Sequence, residues 1–133
     1  MNRRQILAGA AAIAAGAVLA AGPASAKTVT YSPEKLQALV ATGQPVLLDF
    51  YASWCTTCRA QERVVNSLID GGGYGDLTVV KVDWDTYRSS QLVKDLSIPR
   101  RSTLVLLKGN RELGRVVAQT SEASIKALLD KAA

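Results

Sequence analysis

VLLDFYASWCTTC, residues 46–58, runs a nearly continuous apolar stretch straight into two cysteines spaced Cys-x-x-Cys. The stretch from Val46 to Ala52 has the composition of a central strand buried on both faces of a sheet. One carboxylate, Asp49, stands in its middle, where an unpaired charge is costly. Cys55 and Cys58 are the only 2 cysteines among 133 residues. Their spacing alone is compatible with a structural staple, half of a metal site or a working redox pair.

Composition narrows the choice. Histidine is absent, which removes the commonest general base and the commonest zinc ligand. Two cysteines cannot close a four-ligand zinc site in one chain, so a metal reading requires two subunits or unusual oxygen ligands. A purely structural bridge gains little here, because stabilisation by loop closure grows with loop length and this loop is very short. Redox work is the leading explanation.

The first 26 residues, MNRRQILAGAAAIAAGAVLAAGPASA, read as a cleavable export signal: basic, then Ala-rich and apolar, then small-x-small at Ala24-Ser25-Ala26. Arg3-Arg4 followed by Gln5, Ile6 and Leu7 resembles a twin-arginine signal, preferred over general secretory export although Asn2 and Ile6 match the pattern imperfectly. An uncleaved membrane anchor is the weaker reading, since a span needs about 20 firmly apolar residues. Cleavage after Ala26 leaves residues 27–133, a 107-residue segment sized for one compact domain. The formal charge then falls from +5 to +3, because Arg3 and Arg4 leave with the signal. Apart from Arg100-Arg101 the basic residues are scattered and carry no aromatic ladder, so a nucleic-acid role is disfavoured.

Hydrophobic spacing gives the remaining elements. TVTY at 28–31 reads as a strand, and Ser32-Pro33-Glu34 as the cap and first turn of a helix that Gly43 stops. Val64, Val65, Leu68 and Ile69 have helical spacing after the cysteines. GGGYG at 71–75 is a connector, since no P-loop spacing follows it. LTVVKVDW at 77–84 is a second buried strand interrupted by Lys81, and Arg88–Leu96 forms a short helix. TLVLL at 103–107 and GRVVA at 114–118 are strands around a hairpin turn at 108–111, and Ser121 caps a last helix. The order β-α-β-α-β-α-β-β-α implies an α/β domain, a mixed sheet with helices on both faces. The cysteines then sit where a buried strand ends and a helix begins. Cys55 lies among unpaired backbone N–H groups that favour its thiolate, whereas Cys58, one turn later, points inward. An exposed Cys55 that attacks and a sheltered Cys58 that resolves are expected.

DFYASWCTTC together with this element order resembles the thioredoxin family over essentially all of residues 27–133. The resemblance implies the thioredoxin fold and a Cys55–Cys58 redox disulfide. Asp49 matches the family's buried aspartate, which relays the proton of the resolving cysteine, and Lys81 matches the lysine that tunes it. Burial raises a carboxyl pKa and a nearby ammonium compensates in part, although Lys81 could also merely snorkel from a sheet edge. Trp54 matches the aromatic shield beside the thiols, and Tyr51 is a second aromatic there.

Two departures stand out. Thr56-Thr57 replaces the Gly-Pro usual between thioredoxin cysteines, so the potential is not readable by analogy within the range from about −270 mV for thioredoxin to about −120 mV for DsbA. In SIPRRSTLVLL, Ser102 stands where the family has its cis-proline, and Pro99 is three residues too early to serve. The family geometry, cis before Ser102, is the expectation, with the smaller hydroxyl opening the site to water, other substrates or a metal. Arg101, Ser102 and Thr103 are then expected at the client, with Arg101 favouring a Cys55 thiolate and acidic clients, unless Arg100-Arg101 is simply a solvated loop.

The combined expectation is an exported, periplasmic thiol-disulfide oxidoreductase that acts as a monomer on disulfide-containing client proteins and needs no organic cofactor or metal. VLLDFYASWC, then Arg59 and Glu62, is also similar to the periplasmic reductase domain of DsbD-type proteins. That favours reduction or isomerisation, with a membrane electron donor of that type. A dithiol oxidase, or a module binding a metal or iron–sulfur cluster between subunits, are the alternatives.

Overall fold

Five strands form one sheet in the order β1-β3-β2-β4-β5 in the computed structural model, which describes residues 26–132. The expected export signal therefore lies outside the described residues, apart from Ala26. The strands are β1 (Lys27–Thr30), β2 (Pro45–Tyr51), β3 (Thr78–Asp83), β4 (Thr103–Lys108) and β5 (Arg111–Val117). The helices are α1 (Pro33–Ala41), α2 (Thr56–Asp70), α3 (Trp84–Tyr87), α4 (Gln91–Leu96) and α5 (Glu122–Leu129), with a 3-10 turn at Asp130–Ala132. β3 runs parallel to β1 and β2, while β4 is antiparallel to β2 and β5, so the sheet is mixed as expected. Among the described residues no helix is long and apolar enough to cross a membrane.

β2 is buried from Pro45 to Phe50 because it is the middle strand and both of its faces are covered. Side chains alternate along it. Val46, Leu48 and Phe50 pack with Val80, Val82 and Val105 under α1, α3 and α4. Leu47 packs with Leu104, Leu106 and Val79 against Val65 of α2 and Ile125, Leu128 and Leu129 of α5. Asp49, two residues after Leu47, falls on the same face as α2.

Local chemistry sets the element ends. Ser32 accepts from the Lys35 N–H at 3.1 Å with Pro33 opening α1, and Ser121 accepts from the Ser124 N–H at 3.1 Å. The helix expected at 88–96 begins only at Gln91, as α4, and a separate short helix that the apolar pattern does not announce, α3, precedes it from Trp84. Asp83 caps α3, accepting from the Asp85 N–H at 3.1 Å, and Ser90 restarts the chain as the cap of α4. Such short polar side chains compete for backbone groups and favour helix ends. The β4–β5 turn is only Gly109-Asn110, with Gly109 at φ 60, so β5 begins three residues earlier than its apolar pattern announces.

Replacing Phe50, fully buried in the middle strand, by Ala is expected to lower unfolding free energy by about 3–5 kcal/mol. Denaturant titration checks it; a loss under about 1 kcal/mol would mean that this layer of the core is packed differently.

Candidate active site

Four residues, 52–55, turn the chain from β2 into α2. The Cys55 N–H donates to the Ala52 carbonyl at 3.1 Å, which closes the turn and leaves Cys55 extended (φ −95, ψ 113) as the cap of α2. Its Sγ accepts from the Cys58 N–H at 3.1 Å. Cys55 and Cys58 are joined as a disulfide with their Cα atoms 5.3 Å apart. The expected difference in exposure is absent, since both cysteines are 3 % exposed. The asymmetry lies in the hydrogen bonding: Cys55 takes the helix-end N–H, and a helix-end donor and dipole stabilise a thiolate.

The cysteines are buried with Ala52, against Tyr51 and Trp84, and Ser102 packs against both sulfurs. Its peptide is trans, since no cis peptide bond occurs among the described residues, and its φ is 63. This corrects the expected family geometry. A cis bond before a non-proline residue costs about 3–4 kcal/mol, and the left-handed conformation turns the chain without it. Ser102 does not open the site to water either: it is fully buried, with Oγ 3.2 Å from Cys55 Sγ and 3.1 Å from Cys58 Sγ. Thr103 is likewise fully buried, its hydroxyl donating to the Arg100 carbonyl at 2.7 Å and its backbone paired in β4. It braces the loop and has no side-chain face for a client.

The outer surface belongs to Trp54 and Arg101. Trp54 is 54 % exposed, its indole N–H donates to Asp85 at 2.9 Å, and the Arg101 guanidinium lies 4.4 Å from its ring centroid. Stacking of this kind holds a cation over an aromatic face beside the dithiol.

Behind the disulfide, Asp49 and Lys81 are register partners on β2 and β3, with the ammonium 3.5 Å from the carboxylate. β3 is an interior strand, so Lys81 does not snorkel from an edge. Its ammonium also meets Glu62 of α2 at 2.7 Å and lies 4.3 Å from the Tyr51 ring centroid. Burial pushes the Asp49 carboxyl up to about 6, with Lys81 pulling it down and Glu62 adding a smaller upward push. The Lys81 ammonium is held above its ordinary range: burial works against the charge, and Asp49 and Glu62 outweigh it. A cavity of about 230 Å³ is lined by Tyr51, Cys58, Arg59, Glu62 and Lys81, and so borders the resolving cysteine and the two partners of the Lys81–Glu62 pair.

Gln61 and Asp85 were not picked out in the sequence. Gln61 is fully buried and its side-chain amide donates to the Ser102 and Gln119 carbonyls, each at 2.9 Å. A signal for it exists: Cys58, Gln61 and Val65 form the buried stripe of α2 at spacings of three and four, so a polar side chain sits on an inward face.

The raised Asp49 pKa sets a sign for stability. The folded state holds the proton more tightly than the unfolded chain, so the contribution of this group to stability is fully present below about pH 4 and is lost as pH rises through about 6. Asp49→Asn is expected to flatten that decline and to stabilise the protein at pH 7 by roughly 3 kcal/mol. Unfolding curves at pH 4 and 7 read it; a wild type whose stability rises over that interval while the variant loses stability at pH 7 would contradict the assignment.

Comparison with known proteins agrees with this fold. The thioredoxin family model matches residues 27–131. Thioredoxin 1 of a Nostoc species is 32 % identical over 107 residues, covering 80 % of this chain and 96 % of that protein. The crystal structure of Trxlp from Edwardsiella tarda superimposes with a TM-score of 0.71 at 32 % identity, covering 77 % of this chain and 97 % of the other. The thiol:disulfide interchange protein DsbD of Ralstonia nicotianae matches only in part, at 50 % identity over 38 residues, 29 % of this chain and 6 % of that protein.

Proposed function

We propose, for a chain that belongs to the thioredoxin family and is a thiol-disulfide oxidoreductase with Cys55 and Cys58 as its pair, that it reduces or isomerises disulfides of client proteins outside the cytoplasm. The observation that carries the division of roles is the capping contact: Cys55 Sγ holds the Cys58 N–H at 3.1 Å, at the positive end of α2. The Cys55 thiolate attacks a client disulfide, forming a Cys55–client disulfide and expelling one client thiolate, which takes a proton from solvent. Asp49, ionised above about pH 6, receives the Cys58 proton through water in the adjoining cavity. Cys58 then attacks the Cys55 sulfur, closing the Cys55–Cys58 disulfide and expelling the second client thiolate. Two electrons pass from the dithiol to the client.

Trp54 and the stacked Arg101 form the surface that the client meets, and the cation favours clients with acidic groups beside their disulfide. Lys81 keeps Asp49 close to its working range. The basic and apolar composition of the first 26 residues supports export, with Arg3-Arg4 favouring the twin-arginine route. The partial likeness to DsbD supports the reducing direction and a membrane donor of that type to return the two electrons. A monomer satisfies every step.

Cys58→Ser, expressed with its full leader, tests this. Disulfide-linked adducts are expected in the exported fraction, dissolved by reductant and missing when Cys55 is also replaced by Ser. An exported fraction with no adduct through Cys55 would sink the reading. A wild-type potential near or above about −180 mV, with rapid oxidation of reduced proteins, would reverse the direction to that of an oxidase.

A further inference from the structure

The buried hydroxyl of Ser102 has the two sulfurs as its hydrogen-bond partners, at 3.2 Å from Cys55 and 3.1 Å from Cys58. A hydroxyl has one hydrogen to donate, and a neutral sulfur is a weak acceptor. Bonds to an ionised partner are roughly twice as strong. In the disulfide state the Ser102 hydrogen is therefore underused, and it finds its best partner only when one of the sulfurs becomes a thiolate. Water does not replace it, since Ser102 is fully buried and both cysteines are 3 % exposed.

The loop holds the hydroxyl in place. The Ser102 N–H donates to the Phe50 carbonyl at 2.8 Å, its carbonyl accepts from the Ala118 N–H at 2.8 Å, and the Gln61 amide donates to the same carbonyl at 2.9 Å. Ser102 and Ala118 both take left-handed backbone, at φ 63 and φ 62. Such conformations are strained for residues other than glycine and persist only where surrounding contacts over-determine them.

We propose that Ser102 is a catalytic residue whose hydroxyl donates to the Cys55 thiolate in the dithiol form and turns the same hydrogen to Cys58 as that sulfur loses its proton in the mixed disulfide. Oγ need not move, because it already stands within reach of both sulfurs. Gln61 and Ala118 are positioning residues that fix the Ser102 backbone. The role rests on the oxidoreductase reading above and adds a donor that a proline at this position cannot supply. The bond-making steps are those already given: the hydroxyl keeps its proton throughout, and no atom or electron passes through it. Other charged groups around the dithiol are Asp49 of β2, Lys81 of β3, Arg59 and Glu62 of α2, Asp85 of α3 and Arg101 of the loop before β4. All of them remain in a Ser102 variant, so a change there reports the hydroxyl.

Ser102→Ala removes the hydroxyl and leaves a side chain strained at positive φ, whereas Ser102→Gly removes it and relieves that strain. The reduced proteins are alkylated with iodoacetamide across pH, and the rate at Cys55 is followed by mass spectrometry. Both variants are expected to react about tenfold more slowly than wild type at pH values below the thiolate transition, with the same rate on the high-pH plateau. Equilibrium with glutathione is expected to move about tenfold toward the disulfide in both. Profiles that superimpose on wild type in either variant would overturn the role. So would a shift in one variant that the other lacks, because both lack the hydroxyl and only Ser102→Gly changes the backbone strain. A wild type that exchanges no disulfide with reduced or oxidised glutathione overturns the oxidoreductase reading itself, whatever the Ser102 variants do.

Discussion

The hydrogen bond from the Cys58 N–H to Cys55 Sγ, 3.1 Å long, ties the chemistry to the fold. It exists because only four residues separate β2 from α2, leaving a helix end with its first N–H groups beside the first cysteine. The sheet fixes one side of that junction: β2 is the middle strand, buried through Phe50, and cannot shift without moving both layers of the core. The buried stripe of α2 fixes the other. The sulfur is thus presented by rigid elements and not by a flexible loop, which is the condition for a preorganised site.

Three ionisable groups gather behind that junction, and their energetics oppose one another. Asp49 is almost fully buried and its carboxyl is pushed up to about 6, a position from which it exchanges protons near neutrality. Lys81 prevents a larger rise, and Glu62 in turn anchors Lys81. Isolated, either charge would be expensive in the sheet interior; together they hold a proton-accepting group against Lys81, which lines the cavity that Cys58 borders. Burial that weakens stability at neutral pH is the same burial that makes Asp49 serviceable as a base.

The parts of this arrangement that depend on short-range pattern were legible in the sequence. The apolar run around Asp49 announced a central strand, Ser32 and Ser121 announced their helices, and Gly109-Asn110 lies within the stretch read as a hairpin turn. Asp49 and Lys81 stand in register as the thioredoxin resemblance implied. What escaped depends on tertiary contacts. Buried Cys55 meets Ser102, 47 residues away, and the Gln61 amide bridges carbonyls 41 and 58 residues distant. The backbone at Ser102 escaped for a different reason: likeness to a proline suggested cis, whereas a serine reaches the turn more cheaply through left-handed φ. Asp83 starts a short helix that was not expected, and Ser90 delays the expected one to Gln91, because capping by a short polar side chain outweighs a marginal apolar period.

Polarisation of the two sulfurs is the central claim, and competitive alkylation of the reduced wild-type protein tests it most directly. With limiting iodoacetamide at pH 6.5–7 and site-resolved mass spectrometry, label is expected at Cys55 at least about tenfold over Cys58, with the Cys55 transition well below the about 8.5 of a free thiol. Equal labelling of both cysteines, with a transition at the free-thiol value, would contradict the account.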